Sequence, residues 1–346
     1  MTIIVRRSGL LTTIQDLGRY GYQRVGVSVS GAMDPYASLC ANLLVGNERT
    51  APLLELTVTG PSLTFTEPTV IAICGADMKP VVQGKRVPMW RPVYVPADTT
   101  IEFGTARQGV RAYVAFAGGL QLERRMGSYS TYLMAGFGGY DGRALREGDR
   151  LPVGEPSPLG KELAAYLMDA SARSEYGEWK QHHVLSPAWQ VGSSAMPRYA
   201  PDPIVRFIRG IHYTWFDASS VEALTISRYR LTPQSDRMGC RLCGRKLQIK
   251  DSHVLLSEAV TAGTVQVPPD GQPIILMADR QTTGGYPVIA QVISADLPVV
   301  AQTPIGGQIS FVEVSLEEAQ RLWIQMHKEL QLVAAGMRAY MKSGRR

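Results

Sequence analysis

The sequence predicts a mainly β protein built as two related domains in tandem. Three observations predict it: short β-branched or aromatic runs at close intervals, the 34 Gly and 22 Pro of 346 residues that punctuate them, and an internal echo about 200 residues apart. Val110-Arg-Ala-Tyr-Val-Ala-Phe116, Ile204-Val-Arg-Phe-Ile208, Ile289-Ala-Gln-Val-Ile293 and Ile309-Ser-Phe-Val-Glu-Val314 are such runs. Their length and breakers favour barrels or sandwiches over helical layers.

The echo sets the domain plan. Leu53-Leu-Glu-Leu-Thr-Val-Thr-Gly60, Leu63-Thr-Phe65, Val70-Ile71 and Ala76-Asp77 reappear in order as Leu255-Leu-Ser-Glu-Ala-Val-Thr-Ala-Gly263, Val265-Gln-Val267, Ile274-Ile275 and Ala278-Asp279. The aspartates lie 202 residues apart, and Ser30-Gly-Ala-Met33 faces Ser235-Asp-Arg-Met238 at 205. The reading is a first domain over residues 1–153, a linker over 154–203 and a second domain over 204–346. The linker is rich in Pro, Ser, Ala and His, and Leu163, Tyr166, Leu167 and Ala170 mark one short helix in it.

Two helices stand out against the β background. Asp34 is placed to cap the first, with Pro35 at its first position, Tyr36, Leu39, Cys40, Leu43 and Leu44 on its apolar face and Gly46 as its stop. The second starts at Ser315 with Glu318 completing a capping box, and its spacing predicts burial of Ala319, Leu322, Trp323, Met326 and Leu330.

Composition and motifs remove several functions. The N-terminus lacks the features of a secretory signal and no window approaches the ~20 apolar residues of a membrane span. Four scattered cysteines then suggest reduced thiols and a cytoplasmic location. Net charge is +6, partly from Arg338, Lys342, Arg345 and Arg346, but no basic stripe interleaves with aromatics, which disfavours nucleic acid. Cys240-Arg-Leu-Cys243 lacks a second ligand pair for zinc, and His182-His183 lacks suitably spaced partners, so no metal site is expected. There is no Gly-x4-Gly-Lys-Ser/Thr cradle, no complete Gly-x-Gly-x-x-Gly and no Gly-x-Ser-x-Gly elbow.

Polar clusters in Gly-rich loops remain, and the richest is Asp279 to Pro287, Asp-Arg-Gln-Thr-Thr-Gly-Gly-Tyr-Pro. It follows the apolar run Ile274 to Ala278, so a buried strand would deliver Asp279, Arg280, Gln281, Thr282 and Thr283 to one place. Gly284 and Gly285 permit positive φ or a close backbone approach to a ligand, while the alternative is a tight turn between two strands.

Thr12-Thr-Ile-Gln-Asp-Leu-Gly-Arg-Tyr-Gly-Tyr-Gln23, Ser30-Gly-Ala-Met-Asp-Pro-Tyr-Ala37, Gly127-Ser-Tyr-Ser-Thr-Tyr-Leu133, Ser235-Asp-Arg-Met-Gly239 and Gly271 to Pro287 together resemble the family of the 5-oxoprolinase C subunit. That family is also called KipA or allophanate hydrolase subunit 2, and is related to half of the carboxyltransferase region of urea carboxylase. The likeness spans nearly all of the chain outside 154–203. It implies two tandem cyclophilin-like β-barrel domains with a few covering helices. It also implies two partners, one KipI-like and one LamB/YcsF-like, in an ATP-using complex that opens 5-oxo-L-proline to L-glutamate. No covalently bound cofactor is implied, the chain alone is expected to be inactive, and a homo-oligomer is compatible.

The alternatives that the resemblance leaves open are a regulatory protein that binds a KipI-like inhibitor of a sensor kinase, and a biotin-dependent carboxyltransferase for urea or another amide. On the first reading Asp236 accepts a proton or hydrogen bond from the substrate N–H. Arg237 orients the substrate, and Arg280, Gln281, Thr282, Thr283, Gly284, Gly285 and Tyr286 bind it around the carbonyl. Each role has a structural rival, above all for the adjacent Asp236 and Arg237, which also suit a turn or an ion pair. For Gln15, Asp16, Arg19 and Tyr20 a structural role is at least as fitting.

Overall fold

In the computed structural model, residues 1–172, 184–251 and 255–343 are described. His182, His183, Arg345 and Arg346 lie outside them. The chain divides into two compact units, and neither is a continuous stretch: unit 1 is Met1–Gly18, Pro35–Met196 and Lys328–Arg346, and unit 2 is Arg19–Asp34 and Pro197–His327.

Unit 1 contains β1 (Thr2–Arg7), β2 (Leu11–Gln15), helix α1 (Pro35–Leu44), β3 (Leu53–Thr57), β4 (Ser62–Phe65), β5 (Thr69–Asp77), β6 (Val81–Val82), β7 (Lys85–Arg86), β8 (Pro92–Val95), β9 (Thr99–Glu102), β10 (Gln108–Phe116), β11 (Arg150–Pro152) and α2 (Pro158–Ala172). The strands form two sheets, β11-β1-β4-β9-β6-β7 and β2-β3-β10-β5-β8. Alternation along the strands sends Ile3, Val5, Leu63, Phe65 and Ile101 of one sheet and Ile14, Leu54, Leu56, Ile73 and Val114 of the other into one core. Helix α1 runs from Pro35 as expected, and Gly46, with φ +75, takes the left-handed conformation after it.

The 154–203 stretch is not a loose linker. Leu163 and Leu167 of α2 are buried, Leu185 exchanges backbone hydrogen bonds of 2.7 and 2.9 Å with Tyr94, and Val191 N–H donates to the Trp90 carbonyl at 3.0 Å. Residues up to Met196 therefore cluster with unit 1.

Unit 2 contains β12 (Ile204–Arg209), α3 (Ala218–Ile226), β13 (Arg228–Leu231), β14 (Gly239–Cys243), β15 (Glu258–Ala259), β16 (Thr264–Gln266), β17 (Ile274–Leu276), β18 (Thr283–Gly284), β19 (Val288–Val292), α4 (Leu297–Ala301), β20 (Gln308–Glu313) and the start of α5 (Leu316–Ser343). Seven strands close a barrel in the order β12-β19-β16-β17-β14-β13-β20, and β15 with β18 forms a separate two-stranded ribbon. Phe207, Tyr229 and Phe311 meet edge to face inside it, with ring centroids about 6 Å apart (6.1 and 5.9 Å). Met33, from the 19–34 segment, belongs to this core.

The mainly β expectation holds, with a closed barrel in unit 2 and two facing sheets in unit 1. The echo places strands correctly, since β4 and β16 and β5 and β17 coincide at its offset, but pairing differs. β4 and β5 lie in different sheets, whereas β16 and β17 are hydrogen-bonded neighbours. Helix α5 departs in part from its pattern: Trp323 is 46% exposed and stacks on His327 at 4.0 Å, while Leu330 is buried as expected and burial continues at Val333, Met337 and Met341. Among the described residues no helix is long and apolar enough to cross a membrane.

Candidate functional site

The Asp279 to Pro287 segment begins where β17 leaves the barrel. Met277, Ala278, Asp279 and Arg280 stay buried after the strand ends, and the chain then surfaces at Gln281 and Thr283. Two loops hold each other in place here: Met277 N–H donates to the Met238 carbonyl at 2.9 Å and Asp279 N–H to the Arg237 carbonyl at 2.8 Å. The side chains repeat the link. Arg237 Nε donates to Asp279 Oδ2 at 2.9 Å and Nη2 to Oδ1 at 3.1 Å, a two-pronged ion pair with both partners almost fully buried.

Arg237 Nη2 also donates to the Gly31 carbonyl at 2.6 Å. Ser30 and Gly31 both adopt left-handed backbone, with φ of 56° and 96°, which turns this loop onto the barrel. Ser28 Oγ donates to the Arg280 carbonyl at 2.9 Å, and Asp34 accepts from Tyr199 Oη at 2.8 Å and Gln302 Nε2 at 2.9 Å. The Ser-Gly-Ala-Met-Asp motif thus serves the second unit, although it lies near the start of the chain. Arg237, expected to face substrate, has its fork occupied by Asp279 and Gly31 and clamps the two loops and the motif together.

Asp236 is exposed and does turn work: its Oδ1 accepts from Met238 N–H at 2.8 Å and Gly239 N–H at 3.1 Å. Arg280 is 9% exposed, and among the described residues its guanidinium donates only to backbone, Nη1 to the Met277 carbonyl at 3.1 Å and Nε to the Val260 carbonyl at 3.5 Å. Burial lowers its pKa, with Tyr20 and Asp279 acting in the opposite sense. Gln281, Thr283, Gly285 and Tyr286 are exposed and Thr282 is half-buried, its carbonyl accepting from Val260 N–H at 3.1 Å.

The glycines differ from expectation. Neither Gly284 nor Gly285 has positive φ among the described residues. A Cβ on Gly284 would stand 2.4 Å from Nε2 of buried Gln266, so that glycine makes room for Gln266. A Cβ on Gly285 would make only ordinary contact with Ser257.

Three residues beside this loop carried no motif signal. Gln266 Nε2 donates to the Tyr286 carbonyl at 3.3 Å. His212 is buried, accepts the Val288 N–H on Nδ1 at 3.1 Å and places Nε2 3.7 Å from Glu258 of β15, the strand paired to Thr283–Gly284. An accepting Nδ1 puts the neutral ring's proton on Nε2, toward the carboxylate. His212 and Glu258 are far apart in sequence and form no motif; the bond to Val288 places His212 here, and the pairing of β15 with β18 places Glu258.

Unit 1 holds a cleft of about 960 Å³ lined by Arg124, Arg125, Phe137 and Tyr140. Its arginines are engaged, Arg125 with Glu123 at 2.7 Å and Arg124 over the Tyr129 ring at 4.9 Å. Asp16, one of the polar residues of the first sequence motif, is a structural hub: it accepts from Gly18 N–H, Ser128 Oγ, Ser130 Oγ and Tyr129 N–H, all within 2.6–2.7 Å.

Comparison with known proteins places most of the chain in one family. Residues 25–313 match the model of the carboxyltransferase domain, subdomain A and B. The chain is 39% identical over 319 residues to the 5-oxoprolinase C subunit of Escherichia coli, covering 90% of this chain and 91% of that protein. It is 32% identical to urea amidolyase of Saccharomyces cerevisiae, covering 91% of this chain and 17% of the yeast protein. The crystal structure of K. lactis urea amidolyase superposes with a TM-score of 0.84 at 28% identity, over 96% of this chain and 20% of the other. With its closed barrel, its clamped loops and a family match running from Val25 to Glu313, the chain belongs to the carboxyltransferase domain, subdomain A and B family.

Proposed function

We propose that this chain is the component of an ATP-dependent 5-oxoprolinase complex that presents the amide-binding loop for 5-oxo-L-proline. One observation carries the reading: a buried ion pair fixes the loop at Asp279 while Gln281, Thr283 and Tyr286 emerge to solvent beside buried Arg280. Likeness to the 5-oxoprolinase C subunit along almost its whole length supports the choice of substrate.

In this reading the lactam C–N bond breaks, a water-derived hydroxyl ends on the carbonyl carbon, and a proton goes to the departing nitrogen. Gln281, Thr282 and Thr283 hold the amide, with Gly284, Gly285 and Tyr286 shaping the turn that carries them. Asp236 keeps Oδ2 clear of its turn hydrogen bonds and manages the proton at the ring nitrogen. ATP belongs to the two partners, one KipI-like and one LamB/YcsF-like, because this sequence has no phosphate-cradle motif.

Reconstitution with those partners tests the proposal by following ATP-dependent glutamate release. Asp236→Asn keeps an oxygen for the turn but removes the base, so it is expected to leave melting unchanged and to lower kcat by roughly 10²-fold or more. Full activity of a folded Asp236→Asn protein would confine Asp236 to the turn. The carboxyltransferase reading, favoured by the family match, predicts instead activity that depends on a biotinylated carrier.

A further inference from the structure

We infer that Arg280 is a receptor for a carboxylate carried by the amide substrate, and so selects acidic amides over neutral ones. The inference rests on the loop being the amide site, as proposed above. Arg280 is more than nine-tenths buried, and among the described residues no carboxylate lies within ion-pairing distance of it. The adjacent Asp279 is neutralised through both oxygens by Arg237. Two guanidinium groups and one carboxylate leave this corner one positive charge in excess.

A buried cation satisfied only by carbonyl oxygens is costly to a fold unless an anion arrives to pair with it. Desolvation already depresses the guanidinium pKa, the mark of a charge held short of compensation. Nη1 and Nε are used by Met277 and Val260, while Nη2 makes no hydrogen bond among the described residues. That free edge suits one carboxylate oxygen.

The surroundings add a way in. Residues 19–29 form a loop closed at its base by Arg19 N–H to the Val29 carbonyl at 2.8 Å, and tied to Arg280 through Ser28. Its tip is exposed, with Tyr20 at 68% and Val25 at 65%, and Tyr20 is one of the two groups that act electrostatically on the Arg280 guanidinium. An incoming carboxylate would meet a phenol and a guanidinium together, next to Gln281.

Isothermal titration of the full chain, alone and with its partners, tests this with two matched pairs of probes. 5-Oxo-L-proline is compared with 2-pyrrolidinone, the same lactam without the carboxylate, and N-carbamoylglycine with urea. The wild-type protein is expected to prefer the carboxylate member of at least one pair by about tenfold or more, and Arg280→Gln to abolish that preference. If only the ureido pair responds, Arg280 keeps its role and the lactam reading fails. If wild type shows no preference in either pair, or the preference survives Arg280→Gln, the inference is overturned. Should Arg280→Gln misfold, Arg280→Lys decides by the same pairs: it keeps charge but loses the fork, so the preference must fall, and an unchanged preference is equally fatal.

Discussion

Two adjacent glycines close the Asp279 to Pro287 loop, and the structure gives them unequal tasks. Gly284 is the only residue type that leaves room for Gln266, whose amide holds the Tyr286 carbonyl, whereas the space above Gly285 is bounded by Ser257 at ordinary contact distance. Gly284→Ala is expected to destabilise by about 1–3 kcal/mol through overpacking, and Gly285→Ala by less than about 0.5 kcal/mol as an exposed change. Urea denaturation of both variants checks the order, and equal losses would refute the packing account. The same discrimination applies to Asp236 and Arg237, neighbours in sequence with opposite fates. One caps a turn in solvent, the other clamps a buried loop, and their adjacency alone said nothing of which was which.

Among the elements, α3 shows how much a short helix depends on its entry. Asp217 accepts the Ser220 N–H at 2.6 Å and the Ser219 hydroxyl at 2.9 Å, and these hydrogen bonds hold its carboxyl pKa below the usual range. Asp217→Ala is expected to cost about 1 kcal/mol, read as a lowered denaturation midpoint with an unchanged slope. A variant as stable as wild type would mean that barrel packing, not the cap, fixes this helix. Strands and the helix start at Pro35 were legible beforehand, because proline placement and β-branched runs act locally, whereas α3 and its cap at Asp217 were not read from the sequence. Trp323 was not: helical periodicity placed it with the apolar face, yet it stays half-exposed, and full burial along α5 begins only at Leu330.

At the scale of the molecule, chain continuity and compactness diverge. The segment 19–34 supplies unit 2 with Met33 for its core, Gly31 for Arg237 and Asp34 for Tyr199 and Gln302. A fragment of residues 204–346, the second domain as read from sequence, lacks all three and also Tyr199. It is expected to be collapsed but loosely packed, with poor amide-proton dispersion and dye binding to exposed apolar surface. A well-dispersed spectrum and cooperative unfolding of that fragment would show that the early segment is dispensable to the barrel.

The amino-acid sequence by itself determined the β class, the positions of most strands, the helix at Pro35 and the loop at Asp279, because propensity, alternation and turn chemistry are properties of a few consecutive residues. It also determined the family, through motifs whose order needs no structure. What only tertiary structure decided is which motifs meet. Folding of unit 2 brings residue 31 to residue 237 beside the barrel and residue 258 to residue 284 in the separate β15–β18 ribbon, and leaves Arg280 without a carboxylate among the described residues. Such pairings depend on which backbone groups find partners across 26 to 206 residues of chain, a competition settled only when the whole core is buried.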